Sequence, residues 1–187
     1  MKTFHWTTVA VVVALLAIGW TMASDLETIK PIRGSLFALH KSLGLSLLFL
    51  TLLRISWRAS HRVPPVPPVL RPWEIKVFQT VHYLLYGLLI LQPLAGWAIA
   101  SIAPKKSLFF GLFPIPDLPL MPAFPHPEIL QDVLEDVHAT LAVSLAVLIG
   151  LHVAAALRHH FQIRDNVLVR MSPAFTAPFL RKLRKEP

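Results

Sequence analysis

The sequence predicts an all-α fold, a transmembrane four-helix bundle, on three observations. Of the 187 residues, 55% are hydrophobic and 15% are charged, with a mean hydropathy of +0.59, whereas an ordinary soluble domain is about 25% charged. Four apolar stretches, at about 4–23, 34–57, 75–101 and 128–160, each reach the ~20 residues that a helix needs to cross a bilayer. Within the fourth, His138 and His152 lie fourteen residues apart in a run of almost purely apolar and small side chains. The connections are short, so residues 1–187 read as a single transmembrane domain.

The first stretch is apolar apart from His5, Trp6 and a few hydroxyl residues. Lys2, the apolar run and the small pair Ala23-Ser24 also resemble a cleavable signal peptide, but three further spans and an early histidine favour its retention. A polar segment with Asp25, Glu27, Lys30 and Arg33 leads into the second stretch, which opens on His40-Lys41-Ser42 and closes on Arg54, Trp57 and Arg58. The proline-rich segment from Val63 to Pro72 cannot be helical and is expected to form a stiff extended connection beside a solvated His61. His82 stands near the start of the third stretch, and Pro93 inside it removes a helix hydrogen bond. The apolar, proline-rich loop from Pro104 to Pro127 is expected to lie at the interface over one end of the bundle, with His126 solvated or structural. The tail after Arg158-His159-His160 is basic, as expected of a membrane-surface anchor.

Charge sets the orientation. Lys2, the second connection with Arg54, Arg58, Arg62, Arg71 and Lys76, and the tail hold most of the 18 Lys and Arg, against Lys30, Arg33, Lys41, Lys105 and Lys106 on the other side. By the positive-inside rule, both termini are expected in the cytoplasm. The net charge of +8 is therefore read as a membrane-surface charge, with the bilayer rather than nucleic acid as partner. The sequence has no cysteine, which excludes disulfides, thiolate clusters and covalent c-type haem.

That topology sorts the histidines by depth. His40 and His138 fall toward the outer leaflet, whereas His5, His82 and His152 fall toward the inner one. Fourteen residues at ~1.5 Å and ~100° each put His138 and His152 on one stripe roughly 21 Å apart. Ionisable groups in a membrane span are rare and usually functional, and neutral imidazole is a good ligand for iron. Two imidazoles from facing helices clamp one haem iron from both sides, which suits electron transfer. The bundle is thus expected to enclose two b-type haems, with His40 and His138 on the outer one and His152 with either His5 or His82 on the inner one. Neither layer offers the carboxylates or thiolates that would complete a zinc site, and a proton relay leaves the fourteen-residue spacing unexplained. Arg158, His159 and His160 are candidates for haem propionates or a quinone head group.

These features together resemble the bacterial cytochrome b561 family of di-haem inner-membrane proteins. The resemblance rests on His5-Trp6, the His40-Lys41-Ser42-Leu43-Gly44 run, the Arg54 to Arg58 helix end, His82 eleven residues before Pro93, Phe110-Gly111, the His138 to His152 spacing, and the ending His159-His160, Asp165-Asn166, Arg170-Met171. It implies the pairs His5 with His152 and His40 with His138, with His82 beside the inner haem or a quinone site. It also implies electron transfer between an outer donor and the quinone pool, most concretely oxidation of superoxide to oxygen with reduction of ubiquinone. Superoxide needs a positive mouth, for which Lys41, Lys105 and Lys106 are the candidates. A second reading makes the chain the haem-bearing anchor of a separate periplasmic dehydrogenase or redox protein.

Overall fold

The computed structural model describes residues 2–61, 71–119, 121 and 127–183. His126 and nearly all of the proline-rich second connection lie outside them. Four helices dominate: α1 (Lys2–Ala23), α2 (Arg33–Ser60), α3 (Pro72–Ile102) and α4 (Pro127–Arg158). All four are long and apolar enough to cross a membrane. Their outward faces carry Val13, Leu53, Leu91, Val143, Val147 and Leu151, each more than half exposed. So much uncovered hydrocarbon on a folded chain marks a lipid-facing surface. The chain is a multi-pass membrane protein.

Each helix has local causes. A 3₁₀ turn at Glu27–Ile32, with Pro31 inside it, reverses the chain between α1 and α2. Proline begins α3, where its missing N–H matters least, and the Arg71 amide donates to the Glu74 carboxylate at 3.0 Å. This cap starts α3 earlier than the apolar run alone would. Hydroxyl side chains inside the spans bond back to their own helix, as Thr8 does to the Phe4 carbonyl and Thr51 to the Leu47 carbonyl. No water is available there, so these bonds satisfy groups that would otherwise be stranded. At the end of α4 the helix widens into a π turn, His159–Ile163, which the left-handed Arg164 (φ 59°) terminates. Two short helices follow, α5 (Val167–Met171) and α6 (Ala177–Leu183).

Close packing joins α1 to α2, α2 to α3 and α3 to α4, but does not join α1 to α4 in the same way. The core holds one residue from each helix, Val12, Leu47, Leu89 and Leu145, flanked by Val11, Leu15, Leu16, Leu85, Leu88 and Ile149. The loop after α3 contains a small antiparallel hairpin, β1 (Leu108–Phe109) with β2 (Phe113–Pro114), where the sequence reads only an irregular loop. Consecutive positive φ angles at Phe110 (46°) and Gly111 (77°) make its turn. The Phe110 amide donates to Ser42 Oγ at 2.9 Å and the Trp97 indole donates to the Pro116 carbonyl at 2.7 Å, tying the loop across α2 and α3. We call this the hairpin end of the bundle and the other the terminal end.

Leu145 is 2% exposed and central to the four-helix core. Leu145→Ala is expected to destabilise the protein by about 2–5 kcal/mol, as measured by unfolding in mixed detergent micelles. Val147→Ala, on the exposed face, is expected to have little effect.

Candidate functional site: two histidine layers

The fourteen-residue interval between His138 and His152 recurs on every long helix. On α1 it joins His5 to Gly19, on α2 His40 to Arg54, and on α3 His82 to Gly96. Antiparallel packing gathers these positions into two rings: Gly19, His40, Gly96 and His138 at the hairpin end, and His5, Arg54, His82 and His152 at the terminal end. The core residues Val12, Leu47, Leu89 and Leu145 lie seven residues from both rings on each helix, so an apolar layer separates them.

In the hairpin layer the rings of His40 and His138 face each other with centroids 6.3 Å apart and planes at 72°. A metal–imidazole bond is about 2 Å long, so trans imidazoles on one metal ion have centroids about 6 Å apart. The Gln92 amide donates to His138 Nε2 at 3.1 Å, which places the ring proton on Nδ1 and the lone pair on Nε2. Nδ1 of both rings is buried without a partner. Glycine makes room on the other two helices. A Cβ at Gly19 would lie 3.4 Å from His40 Cε1, and one at Gly96 would lie 3.0 Å from His138 Cε1. Two facing imidazoles about as far apart as a pair on one metal ion, with glycine on the flanking helices, fit a planar metal-bearing cofactor.

The terminal layer is more crowded. The rings of His82 and His152 meet edge to face with centroids 5.1 Å apart, and His82 Nδ1 donates to the Phe78 carbonyl at 2.7 Å. That centroid distance is too short for one metal ion between the two rings. His5 lies within electrostatic range of His152, His82 and Arg54, and Arg54 Nη2 is 3.3 Å from His5 Nδ1. The tail fixes the start of α1, because Lys2 Nζ donates to the Ser172 carbonyl at 3.0 Å and the Trp6 indole to the Met171 carbonyl at 2.9 Å. His5 is therefore held at a definite depth despite its place near the chain start.

Arg158, His159 and His160, adjacent in sequence, go three ways. Arg158 lies 3.7 Å from the Glu74 carboxylate. His159 Nδ1 donates to Asp165 Oδ2 at 2.6 Å. His160 is fully buried, its Nε2 3.2 Å from the Leu180 carbonyl. His61 is exposed and stacked on Trp57 at 3.9 Å. At the hairpin end, Lys106 pairs with Asp117 at 2.7 Å, Lys41 donates to the neutral Ser107 hydroxyl at 2.9 Å, and Lys105 is exposed. Arg54, Gly19 and Gly96 are not evident from the histidines alone. The signal that finds them is the interval already visible on α4, applied to the other helices.

A bundle of membrane-spanning helices with paired imidazoles in its interior defines a b-type membrane cytochrome. The sequence model of the prokaryotic cytochrome b561 family matches residues 1–174, and the chain belongs to that family of membrane electron-transfer proteins. Among curated proteins it is 31% identical over 175 residues to a probable superoxide oxidase CybB of Yersinia pestis, spanning 90% of this chain and 91% of that one. It is 29% identical over 168 residues to cytochrome b561 homolog 2 of Escherichia coli K12 (90% and 86% covered), and 28% identical over 173 residues to homolog 1 (90% and 92%).

A side chain at Gly96 would press on the His138 ring, whereas nothing lies within 4 Å of a Cβ at Gly34. Gly96→Val is expected to cost about 1–3 kcal/mol of stability through overpacking, read as a lower melting temperature in detergent. Gly34→Val is expected to melt close to wild type.

Proposed function

We propose that this chain is a di-haem b electron carrier that passes electrons from a donor at the hairpin end to a quinone at the terminal end. The observation that carries the reading is the pair of facing imidazoles, His40 and His138, with a second layer fourteen residues along the helices that holds His5, His82 and His152. His40 and His138 hold one haem, and His5 and His152 hold the other. His82, which meets the His152 ring too closely to share an iron with it, is a neighbour of the second haem. Bound there, each haem supplies a one-electron couple whose potential the protein tunes through ligands, hydrogen bonds and burial.

We read both termini as cytoplasmic and the hairpin as periplasmic, in a bacterial inner membrane, a reading supported by the distribution of Lys and Arg. The donor we favour is superoxide, a reading supported by the likeness to a probable superoxide oxidase. Two superoxide anions each lose one electron to become oxygen, and ubiquinone takes the two electrons with two protons. Lys41, adjacent to His40 and bonded to a neutral hydroxyl, and the exposed Lys105 draw the anion, whereas Lys106 is largely neutralised by Asp117. At the other end Arg158 and His159 flank the quinone head group. The His159–Asp165 hydrogen bond makes that imidazole the group placed to hand on a proton, and His160 is a buried strut.

A second reading, an anchor for a separate periplasmic dehydrogenase or redox protein, is favoured by the hairpin tip. Phe110, Leu112 and Phe113 are 48%, 78% and 52% exposed there, and such a patch suits docking as well as membrane contact. Co-purification of a periplasmic partner is the result that reading requires.

Haem per polypeptide and stopped-flow superoxide consumption on detergent-purified protein test the main reading. About two b-type haems are expected, with superoxide loss matched to ubiquinone reduction, and His138→Ala is expected to retain about one. Retention of both haems by His138→Ala would rule out the pairing. Lys41→Gln is expected to slow superoxide oxidation several-fold and weaken its salt dependence. An isolated protein with two haems that leaves superoxide untouched would return the donor to the periplasmic partner.

A further inference from the structure

The terminal layer contains a cation that the pairing of histidines leaves unused. Arg54 shares its ring with His5, His82 and His152. Its Nη2 donates to His5 Nδ1 at 3.3 Å, its guanidinium carbon lies 5.4 Å from the centre of the Tyr86 ring, and its Nε is buried without a partner. Among the described residues no carboxylate pairs with it, since Glu74 lies against Arg158 and Asp165 accepts from His159. A guanidinium is always charged. Inside a membrane bundle, held by one neutral imidazole and an aromatic face, it lacks an anion.

The bond to His5 sharpens this deficit. A nitrogen that accepts from Arg54 carries no proton, so the neutral His5 ring keeps its proton on Nε2. Ligation of a metal through Nε2 moves that proton to Nδ1, and Arg54 then meets an N–H where it had a lone pair. The cation is left without an acceptor unless the entering group brings one. Haem brings carboxylates on its propionate edge, and the planar fork of a guanidinium matches a carboxylate with two parallel hydrogen bonds. The ring of Tyr86 that faces the guanidinium carries a hydroxyl that is also buried and finds no partner among the described residues.

Resting on the di-haem reading above, we infer that Arg54 is the carboxylate-binding site of the terminal layer and anchors a propionate of the haem held by His5 and His152. It is a positioning residue, and its contribution is charge delivered at a fixed depth by the same helix that carries His40.

The test compares wild type, Arg54→Gln and Arg54→Lys by haem per polypeptide and by potentiometric titration of the two haem populations. Glutamine keeps an amide donor for His5 but removes the charge, and lysine keeps the charge. Arg54→Gln is expected to weaken retention of the terminal haem about 10–100-fold, as loss of a supporting group around a ligand typically does, with the other haem intact as the reporter of folding. Arg54→Lys is expected to keep most of the terminal haem. Wild-type occupancy and potentials in Arg54→Gln overturn the anchor and leave the di-haem reading standing. Equal loss in Arg54→Lys and Arg54→Gln also overturns it, because the role would then be packing on Tyr86. A wild type with fewer than two haems overturns the di-haem reading and the anchor with it.

Discussion

A fourteen-residue interval shared by four antiparallel helices is the constraint on which the rest of this molecule depends. Each helix presents one position to each ring and one apolar residue midway between them. Because fourteen residues make about four turns, both rings face the interior without any helix having to twist or break. A single inserted residue between His138 and His152 would rotate one of them by ~100° toward lipid. The register is therefore part of the site.

Polar groups in this interior are handled in two ways. Hydroxyls are absorbed by their own helices, as Ser42, Ser46 and Thr51 are, which keeps them neutral contributors to packing. The His82 ring is held in the same way, its Nδ1 on the Phe78 carbonyl, but Arg54 is not, and among the described residues the buried Nδ1 atoms of His40 and His138 find no partner. An unpaired polar atom in a low-dielectric interior costs about 1–3 kcal/mol. Most of the atoms left in this state among the described residues lie in or beside the two histidine rings, where the proposed function puts its haems.

Much of this was legible in the sequence. Apolar runs of membrane length identify the helices, because no other backbone arrangement than a helix or closed barrel survives in hydrocarbon. His40 and His138 could be assigned to one depth from topology alone, and the rings do face each other. What could not be read was any feature that depends on tertiary closure. Trp6 and Lys2 bond to carbonyls of the tail more than 160 residues away, and nothing local to the first helix announces that. Arg158, His159 and His160 look like one cluster in sequence, but the π turn rotates each to a different partner. The hairpin of residues 108–114 was hidden because Phe110 is a residue type that seldom takes positive φ, and it does so with its amide held by Ser42.

The layer between the rings divides the traffic of two particles. The cluster at its centre, Val12, Leu47, Leu89 and Leu145 with their flanking neighbours, is aliphatic. Protons cross membranes along chains of titratable or hydrogen-bonding groups, and the hydroxyls beside this cluster, those of Thr8, Ser46 and Thr51, donate to carbonyls of their own helices rather than to one another. An electron needs no such chain, only cofactors held close enough on either side. On the proposed di-haem reading the bundle passes electrons between its ends while this aliphatic centre holds the protons of each end apart, so protons taken up with a reduced quinone come from the end where that quinone binds. On that same reading His159, hydrogen-bonded to Asp165 at the terminal end and outside the apolar cluster, is the group placed to supply such a proton.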